Sequence, residues 1–230
     1  MLFLLTGDVQ IGKTRWLEKL CGDLAAAGVC VAGVIAPGQW VPRAEEQPGG
    51  RHGFDGEGRF EKLGIDNVLL PQGERIAFAR RRDLAEGDQA FAQGEQAKAA
   101  QLAWAISDEA IAQVNDHFAM LAKMGQGDCP FVPFGAVSAS KKLAPAIAPG
   151  SFLVVDELGR LELLRGCGLT NAVALLDAGP TPTFPHALAV VRETLLDQAI
   201  SRFAPAWGEP QPIAPEDEAR QLILNTFGAR

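Results

Sequence analysis

The feature that most constrains this chain is a glycine pattern near its start, Gly7-Asp8-Val9-Gln10-Ile11-Gly12-Lys13-Thr14. The pattern fits G-x-x-x-x-G-K-[S/T], the P-loop or Walker A motif. It lies between a short apolar run at residues 2–5 and a helical pattern that extends from residue 13 to about residue 27. Glycine permits the backbone conformations of a tight loop, whose N–H groups then point inward as an anion nest at the helix N-terminus. The pattern therefore predicts a loop that wraps around a polyphosphate.

Two side chains of this motif indicate which polyphosphate would bind. Lys13 would supply a positive charge to the β- and γ-phosphates, and the hydroxyl of Thr14 can ligate Mg²⁺ beside them. The motif thus predicts a nucleoside triphosphate, ATP or GTP, as substrate, with Mg²⁺ as cofactor. No Asn-Lys-x-Asp motif for guanine occurs in the sequence, so the preferred base stays open.

A pair of acidic residues follows the apolar strand predicted at residues 152–155. In P-loop proteins an aspartate at such a strand end holds the magnesium, which is the role predicted for Asp156. A neighbouring glutamate can orient and deprotonate the attacking water, which is the role predicted for Glu157. In an open parallel sheet the P-loop and this Walker B pair would both lie at the carboxyl ends of strands, where ligands bind.

The order of apolar runs and helical patterns predicts an α/β fold. We expect a P-loop (RecA-like) domain of three layers, α/β/α, that spans residues 1–230 around a mostly parallel sheet. Strands are predicted at residues 2–5, 29–36, 152–155 and 187–191, and helices at 13–27, 107–124, 169–178, 193–203 and 215–226. Ser107 is the predicted N-cap of the second helix. Residues 37–50 are predicted to be a loop, residues 51–82 an antiparallel β-hairpin insertion, and residues 125–150 an irregular insertion.

Composition limits the classes of partner. The chain has 28 acidic and 21 basic residues, a net charge of −7, and this acidic balance argues against nucleic-acid binding. The apolar start, residues 1–5, is far shorter than a signal-peptide core or a membrane span. We therefore expect a cytoplasmic protein that does not insert into a membrane.

The run Asp156-Glu157-Leu158-Gly159-Arg160-Leu161-Glu162 resembles the acidic signature of the THEP-type, or cancer-related, nucleoside-triphosphatase family. Members of this family carry Asp-Glu-Ile-Gly-x-Met-Glu or a close variant. The resemblance also includes the P-loop, the strand at residues 32–35, residues 53–55 and residues 190–192. Gln10, where a glycine is frequent, and the added segment 125–150 suggest a divergent, bacterial-type branch.

This resemblance implies slow, Mg²⁺-dependent hydrolysis of several nucleoside triphosphates on a RecA-like mixed sheet. It implies that Lys13 and Thr14 contact phosphate and metal, that Asp156 serves the metal, and that Glu157 serves the water. Glu162 also matches a position of the family.

Several other residues have two interpretations. Arg192 matches a family position at the end of an apolar strand, where it could sense the γ-phosphate or form an ion pair beside a helix. Arg160 could contact either the nucleotide or Glu162. One of the arginines at 80–82 could reach the γ-phosphate, but such charge runs are usually solvated. Trp40 is the tryptophan that we suspect of contacting the base or substrate.

Three functions follow from these residues. The leading one is a Mg²⁺-dependent nucleoside triphosphate phosphohydrolase, with Lys13, Glu157 and Arg192 as catalytic candidates. The second is a kinase that transfers the phosphoryl group to a small-molecule acceptor, bound by residues 37–50 or 51–82. The third is a nucleotide-controlled switch with low intrinsic turnover and an unidentified protein partner.

Overall fold

The computed structural model describes residues 1–8, 11–42, 60–85, 91, 104–125 and 147–228. These residues form one sheet, whose strands are β1 (Leu2–Leu5), β2 (Val31–Ile35), β3 (Gly38–Pro42), β4 (Phe60–Leu70), β5 (Glu74–Arg81), β6 (Trp104–Ile106), β7 (Phe152–Leu158), β8 (His186–Val191) and β9 (Gln211–Ile213). The α-helices are α1 (Lys13–Ala26), α2 (Arg82–Ala85), α3 (Asp108–Gly125), α4 (Arg160–Arg165), α5 (Thr170–Asp177), α6 (Leu196–Trp207) and α7 (Asp217–Gly228). A 3₁₀ turn at Glu193–Leu195 precedes α6.

The sheet has a parallel part and an antiparallel part. Its order is β6-β5-β4-β2-β7-β8-β1-β9, and β3 pairs with β4 outside this path. The strands from β2 to β9 in that order run parallel, whereas β3, β4, β5 and β6 pair antiparallel and extend the sheet beyond β2. The predicted α/β class is therefore confirmed.

Helices cover both faces of the parallel part. On one face, α1 and α7 pack against Phe3, Leu5 and Val154, and on the other face α3, α5 and α6 pack against Leu4 and Val155. Successive residues of a strand point to opposite faces, so a strand between two helical layers must be apolar throughout. Strands β1 and β2 are buried at every position for this reason.

Most of the predicted elements are confirmed, with shifts of a few residues at their ends. The cap predicted at Ser107 is also confirmed, because the Ala110 N–H donates to the Ser107 hydroxyl oxygen over 3.2 Å at the start of α3. The loop predicted at residues 37–50 is wrong at its beginning, where β3 forms. Strands β6 and β9 and helix α4 were not predicted, because three to six residues carry too little periodicity to be recognised.

The predicted hairpin is confirmed for β4 and β5, which are joined by a turn at residues 71–73. This hairpin extends the parallel part of the sheet, because β4 pairs directly with β2. Residues 43–59 and 126–146 lie outside the described residues, so the boundaries predicted for both insertions stay predictions. Within the described part of the chain, no helix has the length and apolar character needed to cross a membrane.

A buried histidine joins α3 to the sheet. His117 lies with its Nε2 atom 3.1 Å from the carbonyl oxygen of Gly33 in β2. Burial lowers the pKa of His117 below its ordinary value, while the backbone carbonyls of Gly33 and Leu70 oppose this shift. The folded protein therefore favours the neutral imidazole.

We expect this histidine to destabilise the protein in acid. Because its folded-state pKa is lowered, its contribution to stability is present above the unfolded pKa of about 6.5 and is lost as the pH falls below that value. Between about pH 7.5 and pH 5, His117→Gln should lose less free energy of unfolding than the wild type, by at most about 1.4 kcal/mol per pH unit. Urea unfolding at several pH values measures this difference, and parallel pH profiles for the two proteins would contradict it.

Candidate active site

Four parallel strands end side by side at one edge of the sheet. Leu5 of β1 lies opposite Val190 of β8, and Val155 of β7 lies opposite Ala189 of β8. On the other side of β7, Val34 of β2 pairs with Val155. The glycine loop, residue 36 and residue 192 directly follow β1, β2 and β8, and the acidic pair lies in the last residues of β7. The carboxyl edge of an open sheet is where ligands of α/β proteins commonly bind.

The glycine loop has the backbone that its sequence requires. Gly7 and Gly12 have φ values of 130° and 92°, in the region that favours glycine, and Gly12 caps α1. Lys13 bends back over the loop, and its Nζ atom donates to the carbonyl oxygens of Gly7 and Asp8 over 2.8 and 2.6 Å. The lysine ammonium is thus held at the mouth of the loop. Of the other predicted loop residues, Ile11 is exposed, whereas Val9 and Gln10 lie outside the described residues.

Lys13 faces the acidic pair across the end of β8. Burial lowers the pKa of Lys13, and the negative charges of Glu157 and Asp156 oppose that shift. The positive charge of Arg192 adds to the lowering. The structure therefore brings together the loop lysine, both carboxylates and Arg192, which come from the ends of three different strands.

Asp156 is the buried carboxylate of this group. The backbone N–H of Ala36 donates to its Oδ2 atom over 2.8 Å, and the Thr14 hydroxyl donates to the same carboxylate. Burial, with the charge of Glu157, raises the pKa of Asp156 to about 6 despite these hydrogen bonds and the charge of Lys62. A buried carboxylate with this environment is suited to a bound cation.

The side chain of Glu157 points away from that of Asp156 and is exposed. Its φ of 71° is in the left-handed region, which costs a residue with a Cβ on the order of 1–3 kcal/mol. The pairing of β7 with β8 shifts register between Val155 and Leu158, so Asp156 and Glu157 lie in a β-bulge. Arg192 donates from Nε and Nη2 to the Glu157 Oε1 atom over 3.2 and 2.8 Å. The bulge and this ion pair fix the direction of the carboxylate.

Arg160 and Glu162, the other candidate residues of the run at 156–162, lie in α4. Glu162 is buried, and its carboxylate accepts from the Gly159 and Leu169 N–H groups over 2.8 and 3.1 Å. It therefore holds the two ends of the α4 segment together. Arg160 is exposed at the first residue of α4. Among the residues that the structure describes, Arg160 forms no hydrogen bond or ion pair with Glu162, and its nucleotide role stays a prediction.

The first two of the arginines at residues 80–82 end β5, and the third begins α2. Arg81 is bound by two carboxylates, with its Nη1 atom 2.8 Å from Glu61 and its Nε atom 2.7 Å from Asp83. Arg80 lies 5.5 Å from the ring of Phe91, measured from its guanidinium carbon. These contacts favour the interpretation of a strand end over that of a γ-phosphate contact for Arg81.

One charged residue near the site, Lys62, belongs to none of the sequence motifs. Lys62 of β4 lies opposite Trp40 of β3, and its ammonium is influenced by the charges of Glu157 and Asp156. A lone lysine in a polar stretch gives no signal in the sequence. Only the register of three antiparallel strands shows where its side chain lies.

Comparison with known proteins supports the fold. The chain is similar to the solution structure of a human cancer-related nucleoside triphosphatase, with a TM-score of 0.52 and 19% sequence identity. The similarity covers 99% of this chain and 98% of that one. No protein-family model matches the chain, and no curated protein matches it. At this identity the likeness establishes a common fold.

The burial of Asp156 has a measurable cost. At about pH 8 in EDTA, we expect Asp156→Asn to raise the free energy of unfolding by roughly 3 kcal/mol, because the pKa of the carboxyl is raised by about two units. A raised folded-state pKa means that ionisation weakens the folded state as the pH increases through about 6, so the gain should vanish towards about pH 4. Thermal or urea unfolding measures it.

The matched control is Asp116→Asn, which changes an exposed aspartate in α3 and should leave stability nearly unchanged. If Asp156→Asn were no more stable than the wild type at about pH 8, the carboxylate would not carry the burial cost inferred from its surroundings.

Proposed function

We propose that this protein is a Mg²⁺-dependent nucleoside triphosphate phosphohydrolase. One observation carries the proposal: the loop lysine and the Asp156–Glu157 pair converge at the carboxyl edge of one sheet. The fold that the chain shares with a human nucleoside triphosphatase supports it. The motif matches and this shared fold also support membership of the THEP-type family, whereas a divergent, bacterial-type branch stays a prediction.

In this proposal the polyphosphate lies on residues 7–14. The ammonium of Lys13 leaves the carbonyl oxygens that it now contacts and turns to the β- and γ-phosphates. The loop N–H groups and the N-terminus of α1 stabilise the same negative charge. Arg160, exposed beside the site, is proposed as a further nucleotide contact.

The residues present fit a magnesium ion. Thr14 and Asp156 would hold it through a hydroxyl and a carboxylate oxygen, the hard ligands that Mg²⁺ prefers. No cluster of three or more His, Cys, Asp or Glu side chains suited to a metal occurs in the part of the chain that the structure describes. Phosphate oxygens and water would therefore complete the coordination. When bound, Mg²⁺ would neutralise charge on the β- and γ-phosphates.

Glu157 is the proposed general base. Its carboxylate takes a proton from the attacking water, whose oxygen forms the new bond to the γ-phosphorus as the bond to the β-phosphate oxygen breaks. The products are the nucleoside diphosphate and inorganic phosphate. Arg192, which now pairs with Glu157, would move towards the γ-phosphate and free the carboxylate.

The Arg192–Glu157 ion pair favours a second candidate function, the nucleotide-controlled switch with low intrinsic turnover. Arg192 occupies the Oε1 atom of this base at 2.8 Å, so this oxygen cannot take a proton from water and basal turnover should be low until something moves the arginine. A protein partner that draws Arg192 away would raise turnover.

Residues 43–59, which include much of the predicted acceptor loop, lie outside the described residues, so the kinase alternative stays a prediction. Product analysis with candidate acceptors tests it.

The proposal is tested by phosphate release from ATP and GTP in the presence of Mg²⁺. We expect Glu157→Gln to bind Mg·ATP like the wild type but to lower kcat by about 10²- to 10⁴-fold, the contribution of a general base. Lys13→Ala should instead weaken nucleotide binding, because the charge opposite the phosphates is removed. Fluorescence titration with nucleotide separates the two effects.

Two exposed residues supply matched controls. Lys19→Ala on α1 and Glu218→Gln on α7 remove the same charges away from the site and should leave both binding and turnover unchanged. A wild type that binds nucleotide tightly but releases no phosphate, with or without added partners, would contradict the hydrolase proposal.

A further inference from the structure

A lysine is held between two tryptophans beside the candidate active site. The Nζ atom of Lys62 lies 5.9 Å from the ring centroid of Trp40 and 5.7 Å from that of Trp104. The three residues come from β4, β3 and β6, so three strands fix the position of one ammonium group. A cation over an indole face gains roughly 0.5–2 kcal/mol, and most when it is shielded from water.

The backbone around Lys62 makes room for this arrangement. A Cβ atom on Gly38 would lie 2.6 Å from Lys62 Cε and 2.6 Å from Trp40 Nε1, so a larger residue at this position would displace the lysine stem or the indole. The strand pairing shifts register between Gln39 and Trp40, and again between Ile65 and Asp66. Bulges of this kind redirect side chains and are common next to active sites. The first of these shifts directly adjoins Lys62, which pairs with Trp40, and the second follows a few residues later in β4.

The charges that act on Lys62 are those of the candidate active site. Burial lowers the pKa of Lys62, the negative charges of Glu157 and Asp156 raise it, and the positive charge of Arg192 lowers it again. The same three side chains act on Lys13. The acidic pair therefore has a lysine on either side: Lys13 from the glycine loop and Lys62 from the antiparallel strands.

We propose that Lys62 is a catalytic residue, whose ammonium contacts the γ-phosphate as it is transferred and is held in place by the Trp40–Trp104 clamp. This inference rests on the hydrolase function proposed above. As water attacks the γ-phosphorus and the bond to the β-phosphate breaks, negative charge shifts onto the bridging and terminal oxygens. Lys62 stabilises that charge and keeps its own proton, while the proton of the water goes to Glu157.

The competing role for Lys62 is that of a counter-ion, which only neutralises the buried Asp156. A counter-ion would affect stability and ground-state binding. A transition-state contact would affect kcat and the binding of a transition-state analogue, with little effect on the binding of the product. These two outcomes are separable by experiment.

The test compares wild type, Lys62→Met, Lys62→Arg and the control Lys19→Met, each checked for folding by thermal unfolding. For Lys62→Met we expect kcat to fall by about 10²- to 10³-fold, the usual loss for one preorganised donor to the transition state. Binding of Mg·ADP with aluminium fluoride should weaken by a similar factor, whereas binding of Mg·ADP alone should stay near that of wild type. Lys62→Arg should recover part of kcat.

If Lys62→Met fails to fold, Trp104→Leu replaces it, because opening the clamp while keeping the lysine should lower kcat in the same direction. Equal kcat and equal analogue binding in wild type and Lys62→Met would overturn the inference. So would a loss of Mg·ADP binding that is as large as the loss of analogue binding. If the wild type itself neither hydrolyses ATP nor prefers the analogue to Mg·ADP, the proposed function fails instead.

Discussion

A single buried carboxylate joins the elements on which the candidate site depends. Asp156 accepts from the Ala36 N–H at the end of β2 and from the Thr14 hydroxyl at the start of α1, while it is itself part of β7. Its negative charge is only partly offset by these neutral donors, so the folded protein carries an unfavourable buried charge. Such a cost is common where stability is given up for binding. A metal and a polyphosphate would relieve it.

The sheet order explains how the charged groups meet. Strand β8 lies between β1 and β7, so Arg192 falls between the glycine loop and the acidic pair. The antiparallel strands approach from the side of β2 and add Lys62 and the tryptophan clamp. The candidate site therefore combines parallel strands, which contain the sequence motifs, with antiparallel strands, which under the proposal for Lys62 add a lysine that belongs to no motif.

The sequence predicted the parts whose signals are local. The glycine loop, the apolar strands and the Ser107 cap are each specified within a few residues, so their positions could be predicted. The left-handed backbone of Glu157 could not, because it follows from a bulge between β7 and β8. Lys62 could not be placed either, since Trp40 and Trp104 lie far from it along the chain. Such contacts depend on strand register, which a single sequence does not reveal.

The central claim is that the glycine loop and the acidic pair form one nucleotide site. A crystal structure of the Glu157→Gln variant with ATP and Mg²⁺ tests it most directly. We expect the triphosphate on residues 7–14, the metal at Thr14 and Asp156, and Lys13 turned from the Gly7 and Asp8 carbonyl oxygens to the phosphates. A triphosphate bound elsewhere, or a metal remote from Asp156, would contradict the claim.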